Sequence, residues 1–298
     1  MNHYYVSLIS EKTLKTCYVL TAEELDYINQ HIRGNRQRFN FAIQLKTFQS
    51  LGYFVDLNEV PKSILDYLKK QMKLPHNIHP FYEHPPTLSR HRDRIRNYLK
   101  IIPWNTKGED SAQRVAILAA HKASQTLNHP ADIINVVIEA LLGQNFELPA
   151  FNTLDRLVRH VRSTVNQGIF QRVTDHLKAG HILDDLGKLL LVEQEETYSA
   201  YQRLKESPKA PTITNFRDYV SYHEWLMKLG SMEPYLKDIT KVKLKQFAEE
   251  AKSLDVDNLK DITDQKKYTL IACLLYQLPE LKILKTIVCL LQSGRHIK

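Results

Sequence analysis

The stretch Arg90-His91-Arg92-Asp93-Arg94-Ile95-Arg96-Asn97-Tyr98-Leu99-Lys100 combines a helical apolar pattern with a high density of positive charge. Four arginines, one lysine and one histidine stand against a single aspartate. Steps of three and four residues predict a helix with one apolar side. The residues on that side are Leu88, His91, Ile95, Leu99 and Ile102.

The rest of this predicted helix is cationic, because Arg90, Arg92, Arg94 and Arg96 spread over its remaining surface. Thr87 or Ser89 is predicted to cap its start, and Pro103 marks its end. A helix that packs on one side and stays cationic elsewhere suits contact with phosphate. A solvated surface helix is the alternative.

Helix signals also dominate the sequence on both sides of this stretch. Thr21 and Glu24 form a capping box, and a second helix is predicted from Asn35 to Leu51, ended by Gly52. Further helices are predicted at 61–73, 109–128 and 130–142, from a cap at Thr153, and around 182–191, 214–229, 240–253, 264–277 and 280–291. The segments Tyr4–Ile9 and Cys17–Leu20 could pair as a short hairpin.

We therefore expect a mainly all-α, multi-helical fold of two or three small helical domains with a possible short N-terminal β-hairpin. The predicted domains are a basic domain at 1–104, a second helical domain with a basic stripe at 105–180, and a C-terminal helical domain at 181–298. The stripe comes from Arg156, Arg159 and Arg162, which recur at three-residue spacing.

Composition limits the classes of protein to consider. The chain has 298 residues, 43% hydrophobic and 25% charged, as in an ordinary globular protein. It has neither a run of eighteen apolar residues nor an export signal, so we expect a cytoplasmic protein. Its three cysteines form no close pair, which argues against disulfides and thiolate zinc sites.

The positive charge is concentrated in the first third of the chain. Residues 1–100 hold 15 Lys and Arg against 9 Asp and Glu, whereas residues 101–180 hold 8 against 7 and residues 181–298 hold 18 against 17. A local positive field of this kind favours a polyanionic partner, with nucleic acid the first candidate and an anionic membrane surface the second. The basic helix lacks the exposed aromatic and apolar face of a membrane-surface helix, which argues against the membrane.

Motifs for catalysis and cofactor binding are missing from the sequence. No P-loop, dinucleotide fingerprint, zinc-protease or nucleophile-elbow motif occurs. The histidines at 76, 79, 84 and 91 lack the cysteine or carboxylate spacing that would complete a metal site. We therefore predict no cofactor, no metal, no catalytic residue and no enzymatic activity in this chain.

The arginine-rich helix offers side chains that can read DNA as well as bind its backbone. Arginine pairs with guanine and asparagine with adenine, and Asn97 stands beside the arginines. With the helix predicted at 61–73, it could form a helix-turn-helix variant, although the intervening loop is long for the tightest form.

Four blocks of sequence, in the same order, resemble the N-terminal region of replicative transposases of the Tn-three family. The first runs from Asn35 to Leu45 and continues through Leu51-Gly52-Tyr53-Phe54 and Val60-Pro61. The second contains Thr87, His91, Ile95, Arg96 and Leu99. The third contains Leu148-Pro149, Thr153-Leu154 and Arg156-Leu157-Val158, and the fourth is Lys266-Lys267-Tyr268-Thr269-Leu270. Asn40 departs from the family pattern, which has glycine there.

The resemblance implies sequence-specific binding to double-stranded DNA at the terminal inverted repeats of a transposon, without the family's catalytic nuclease domain. It implies a bacterial protein that is nucleoid-associated when bound, and it leaves room for a homodimer in the full-length protein. The expected DNA contacts are Arg33, Arg36, Arg38, Arg90, His91, Arg92, Arg94, Arg96, Asn97, Lys100, Arg156, Arg159 and Arg162. The alternative is a helical interaction or dimerisation module with non-specific nucleic-acid affinity, built on the apolar segments 270–278 and 281–291.

Overall fold

The computed structural model describes residues 10–192, 198–205, 221, 224–225, 227–228 and 230–293, with only the backbone described for residues 279–293. Over these residues the fold is all-α, as predicted, and one isolated β-bridge takes the place of strands. Of the predicted hairpin, Tyr4–Ile9 lies outside the described residues. The second strand, from Cys17, is wrong because Cys17 ends a helix.

The described residues contain the following helices, in chain order. They are α1 (Glu11–Cys17), α2 (Ala22–His31), α3 (Asn35–Leu51), α4 (Lys62–Gln71), α5 (Pro85–Leu99), α6 (Ala112–Ser124), α7 (Pro130–Leu142), α8 (Phe151–Ala179), α9 (Leu183–Lys188), α10 (Ala200–Lys205), α11 (Glu233–Leu236), α12 (Lys241–Ser253), α13 (Val256–Lys260) and α14 (Asp264–Ser293). A 3₁₀ turn, Leu57–Glu59, precedes α4.

Contacts between Cα atoms divide the chain into two compact units. The first comprises Met1–Ala119 and Ile134–Arg156, and the second comprises Ala120–Ile133 and Leu157–Lys298. The division into 1–104, 105–180 and 181–298 stays a prediction.

Helix α3 forms the centre of the first unit, and every residue from Phe39 to Phe48 is buried. Its bounds are those predicted, because Gly34 (φ 83°) and Gly52 (φ 78°) supply left-handed backbone at its two ends. The core around it also includes buried residues of α1, α2, α4 and α5.

A buried ion pair joins α2 to α3. Glu24 closes the predicted capping box by accepting the Thr21 N–H at 2.9 Å. The same carboxylate lies 3.3 Å from Lys46 Nζ and accepts a hydrogen bond of 2.8 Å from Gln49 Nε2. A buried charge is tolerated when it is paired and hydrogen-bonded, so this cluster fixes α2 on α3.

Helix α5 begins earlier than predicted and ends at Leu99, so it does not include Ile102. Pro85 and Pro86 are its first residues and His84 is the N-cap, so the cap predicted at Thr87 or Ser89 is wrong. The N–H groups of a first helical turn have no intrahelical partner, so proline, which has no N–H group, is well tolerated there. Helix α8 likewise begins at Phe151 rather than after Thr153.

Three distant segments of the first unit are tied together by backbone hydrogen bonds. Ile102 donates to the Asn145 carbonyl at 2.8 Å and accepts from the Glu147 N–H at 2.9 Å. Leu148 then donates to the Gly52 carbonyl at 2.8 Å. Ile102 therefore belongs to this junction rather than to the apolar side of α5. A Cβ on Gly52 would lie 2.9 Å from Leu148 Cδ1, so the segments meet closely.

In the second unit, α8, α12 and α14 contribute to the core, where the Phe170 and Phe247 ring centroids lie 5.1 Å apart. Lys243 on α12 is buried and donates to Asn166 Oδ1 at 3.0 Å. Burial, with a smaller effect of the Arg162 charge, lowers the pKa of Lys243 to about 8.

The helices predicted at 264–277 and 280–291 are one continuous helix, α14, which passes through Pro279. A proline removes one backbone hydrogen bond, and here the flanking turns keep the helical path. Leu270, Leu274 and Leu278 are buried, which assigns this half of the proposed interaction helices to the core. The side chains of 281–291 and most of the helix predicted at 214–229 lie outside the described residues. In the part of the chain described, no helix could cross a membrane.

Candidate nucleic-acid interface

Three arginines from two elements of the first unit meet at one groove. Arg33 follows α2, and Arg90 and Arg94 lie one turn apart on α5. They line a groove of about 200 Å³ together with Gln37 and Thr87. Among the described residues that line this groove there is no aspartate or glutamate. We call it the arginine groove.

Local contacts hold the arginines of this groove in position. Arg94 donates to the carbonyl of His31, the last residue of α2, at 2.6 Å. Arg90 donates to the Pro86 carbonyl and to Thr87 Oγ1, both at 3.3 Å. These contacts use part of each guanidinium group, and both side chains remain exposed.

His91 lies beneath the arginine groove and faces the core. It is 5% exposed, and its Nδ1 lies 2.8 Å from the Tyr82 hydroxyl. Burial lowers the pKa of His91 to about 4, and the charges of Arg94 and Arg90 act in the same direction. His91 is therefore a neutral core residue near pH 7, and we leave it out of the DNA contacts proposed below.

The other two arginines at the start of α3 differ in their availability. Arg36 is exposed, pairs with Glu83 at 2.8 Å and stacks on Phe81 with its guanidinium carbon 4.3 Å from the ring centroid. Arg38 donates to the carbonyls of Ile32 at 2.8 Å and Asn29 at 3.1 Å. Arg38 thus donates hydrogen bonds to carbonyl groups at the end of α2, and these bonds use much of the donor capacity of its guanidinium group.

Arg92 and Arg96 stack on an aromatic ring of the first unit. Their guanidinium carbons lie 5.1 and 5.0 Å from the centroid of the Phe54 ring. Arg96 donates to both oxygens of Glu147, at 2.9 and 3.3 Å, and to Asp93 at 2.7 Å. Arg96 is therefore held within the protein, with 19% of its side chain exposed. Its contact with DNA stays a prediction.

Two further predicted contacts lie near the C-terminal end of α5. Asn97 and Lys100 are exposed. Steps of four and three residues align Arg90, Arg94 and Asn97 along one side of α5. Lys100 ends the helix with a left-handed backbone, φ 57°. Arg90, Arg94 and Asn97 form the polar edge of α5.

The arginines of the predicted stripe on α8 differ in exposure. Arg156 and Arg159 are exposed, whereas Arg162 is half-buried and donates to the Asn128 carbonyl at 2.9 Å. Arg156 belongs to the first unit, and Arg159 and Arg162 belong to the second. A DNA-binding role for this stripe stays a prediction.

The sequence alone does not predict which residues contact each of these arginines. Gln37 and Thr87 line the arginine groove, and Thr87 carried a signal because it precedes Arg90 by three residues, within reach on one helical face. Glu147 is 51 residues from Arg96, so no local pattern could have linked them.

The arrangement of α4 and α5 differs from a tight helix-turn-helix. Residues 72–84 separate the two helices, whereas the tight motif has a turn of about 3–4 residues. Helix α5 could still enter a groove of DNA, but the geometry gives no specific support to that motif.

Comparisons with known proteins agree with the family resemblance seen in the sequence. A family model described as "Domain of unknown function (DUF4158)" matches residues 2–161. The chain is 20% identical to the transposase for transposon Tn1546 of Enterococcus faecium over 274 residues, which is 91% of this chain and 27% of that protein.

Two further relatives are the transposases for transposons gamma-delta and Tn3926 of Escherichia coli. Their identities are 23% over 274 residues and 22% over 258 residues, covering 88% and 86% of this chain and 26% of each relative. The resemblance to transposases is confirmed. The chain spans about a quarter of the length of these curated relatives.

Proposed function

Because this chain belongs to the family described as a domain of unknown function (DUF4158) and is similar over most of its length to transposases, we propose that it binds double-stranded DNA at transposon ends. In this proposal the chain serves transposition by recognising the terminal inverted repeats, and it binds DNA without cutting it.

The arginine groove is the observation that carries this proposal. Guanidinium groups of Arg33, Arg90 and Arg94 meet there without a lining carboxylate. Like charges held close together repel one another, so such a cluster favours an anion between them. Phosphate is the anion that a planar, multidentate guanidinium fork suits best.

The polar edge of α5 gives the interface a means to read sequence. Phosphate contacts fix the position of a protein on DNA, whereas base contacts specify the site. With a phosphate held by Arg33 and Arg90, Arg94 and Asn97 would approach base edges from the same side of the helix. Arginine recognises guanine and asparagine recognises adenine.

Equilibrium binding to duplexes across a salt series tests the proposal. The duplexes carry either the inverted repeats that flank the parent gene or a scrambled sequence of the same composition. We expect a preference of at least about a thousandfold for the repeats. The logarithm of the binding constant should fall linearly with the logarithm of salt concentration, by about 0.9 per phosphate contact.

The variant for this test replaces Arg33, Arg90 and Arg94 together by alanine. Its matched control replaces Lys62, Lys70 and Arg114, which are exposed and lie outside the groove. The groove variant should lose about 1 from the salt slope for each lost contact, and the control should keep the parental slope. Equal losses in both variants would mean that net charge alone attracts DNA and would refute the arginine groove as the site.

A further inference from the structure

A second and larger cavity lies within the first unit, apart from the arginine groove. This cleft measures about 1330 Å³ and is lined by four aromatic side chains: Tyr53, Phe54, Trp104 and Phe151. Arg92 and Arg96 of α5 line it, together with the N-terminal turn of α8. We call it the aromatic cleft.

Arg92 is the cation of this cleft that has no close carboxylate partner among the described residues. Arg96 is held by Glu147 and Asp93, whereas the Nε atom of Arg92 is buried without a hydrogen-bond partner in the part of the chain described. The Arg92 side chain as a whole is half-buried and lines the cleft, and a guanidinium group without an ion pair is a suitable partner for a phosphate. The start of α8 lines the same cleft and adds the positive end of the helix dipole.

The aromatic side chains of the cleft are accessible to a ligand. Phe151 is 58% exposed, and Trp104, Tyr53 and Phe54 are half-buried. The Arg92 guanidinium already stacks on Phe54. Aromatic rings beside an arginine form the kind of surface on which nucleic-acid bases stack.

The cleft is held by bonds that do not depend on a ligand. Its segments are joined where Ile102 pairs with Asn145 and Glu147, and where Leu148 donates to the Gly52 carbonyl. A site formed in advance loses less conformational freedom on binding, which favours affinity.

We propose that the aromatic cleft holds an unpaired nucleotide, or a short run of unpaired nucleotides, with a base against the aromatic rings and a phosphate at Arg92. This inference rests on the proposed nucleic-acid function and assigns a second site to it. The cleft exceeds the roughly 300–1,000 Å³ of ordinary small-molecule pockets, so it suits a segment of a polymer.

The observations favour nucleic acid over a peptide as the occupant. Extended peptides bind by adding a strand to an edge with free backbone groups. Ile102, Glu147 and Leu148 already use such groups with one another and with Gly52. The two carboxylates that line the cleft are already paired with Arg96, so stacking surface and the Arg92 cation remain for a ligand. This combination matches a base with its phosphate.

Binding of three fluorescent probes to the full chain tests this inference: a paired duplex, the same duplex with three unpaired thymines at one end, and a twelve-residue oligothymidine. A Trp225→Phe background leaves Trp104 as the one tryptophan, because the sequence contains two. Stacking of a base on Trp104 should quench its fluorescence with the unpaired probes and leave it unchanged with the paired duplex.

The variant Phe151→Ala removes an exposed ring at little risk to folding, and Phe81→Ala removes another exposed ring outside the cleft as its matched control. We expect Phe151→Ala to weaken oligothymidine binding at least about fivefold, the low end for loss of one stacking partner. The same variant should leave paired-duplex affinity unchanged, and Phe81→Ala should leave oligothymidine affinity unchanged. Arg92→Gln should weaken binding of both unpaired probes.

The outcomes separate this inference from the proposed function. Duplex binding without quenching of Trp104 by the unpaired probes would overturn the aromatic cleft and leave the arginine groove standing. Quenching by oligothymidine in a chain that does not bind duplexes would overturn the proposed function and leave the cleft standing. Quenching by an acidic peptide rich in phenylalanine, but by none of the nucleic acids, would assign the cleft to a protein segment and overturn the inference.

Discussion

Arg94 and Arg96 are two residues apart on α5, yet their replacement should have opposite effects. Arg94 is exposed in the arginine groove, whereas Arg96 is held by three hydrogen bonds to Glu147 and Asp93. Arg96→Ala should therefore lower the free energy of unfolding and leave the salt slope of DNA binding intact. Arg94→Ala should reduce the salt slope and change the free energy of unfolding only slightly.

The size of the Arg96 effect follows from its surroundings. Breaking a fully buried ion pair costs about 3–5 kcal/mol, and an exposed pair contributes about 0–1 kcal/mol. The side chains of Arg96 and Glu147 are 19% and 14% exposed, nearer the buried limit. Stacking on Phe54 adds about 0.5–1 kcal/mol. We expect Arg96→Ala to cost about 2–4 kcal/mol, and Arg94→Ala about 0.5–1 kcal/mol for its one strong hydrogen bond.

Urea denaturation measures this difference in the Trp225→Phe background. The remaining Trp104 lines the same cleft as Arg96, so its fluorescence reports the first unit rather than the whole chain. Glu147→Ala alone, and together with Arg96→Ala, completes a double-mutant cycle, in which we expect a coupling of about 1.5–3 kcal/mol. Arg96→Lys should fall between parent and alanine, because lysine keeps the charge and loses the fork.

Two results would refute this reasoning. A stability loss below about 0.5 kcal/mol for Arg96→Ala would mean that solvent screens the pair as it does at an exposed surface. A fall of about 1 in the salt slope of the same variant, with unchanged stability, would mean that Arg96 leaves Glu147 to bind phosphate.

The remaining predictions concern two glycines and two buried ionisable side chains. Gly52→Ala should cost about 2–4 kcal/mol in urea denaturation, because its Cβ would meet Leu148 as well as strained backbone, whereas Gly34→Ala, with nothing within 4 Å, should cost only about 1–2 kcal/mol. As the pH falls from 6.5 to 4, His91 takes up a proton more readily in the unfolded chain than in the folded one, so the free energy of unfolding should fall by about 1–2 kcal/mol. The full pKa shift, at 1.36 kcal/mol per pKa unit, would give a larger fall, but the nearby arginines are exposed and solvent screens their charges. His91→Leu should abolish that part of the pH dependence, and persistence of the full dependence in this variant would contradict the assignment. Lys243 has a lowered pKa, so its contribution to stability should rise with pH between about 8 and 10.5, and Lys243→Met should flatten the curve in that window.

Local signals made the helix bounds of the first unit largely predictable. Helix α3 runs from Asn35 to Leu51 as predicted, because glycines at both ends adopt backbone that few other residues tolerate. The cap predicted at Thr87 or Ser89 places the start of α5 too late, because Pro85 and Pro86 form its first turn, where proline is common.

The direction of each arginine on α5 was beyond prediction from the local sequence. Helical spacing places all of them outside the apolar face, but Phe54 and Glu147 draw Arg92 and Arg96 into the aromatic cleft. Those partners come from segments far away in the chain. The sequence therefore shows how many arginines α5 carries. It does not predict which of them lie in the arginine groove and which lie in the aromatic cleft.

The junction of Gly52, Ile102 and Leu148 also constrains the order in which parts of the first unit can fold. Loop closure over such sequence separations is entropically costly and slow, so these contacts should form after the local helices of residues 10–99. During synthesis, Glu147 becomes available only after the chain has passed through residues 120–133, which belong to the second unit. A nascent chain that stops before residue 147 thus carries α5 with Arg96 lacking its Glu147 partner and the aromatic cleft incomplete. Completion of the first unit therefore requires that part of the second has already been synthesised.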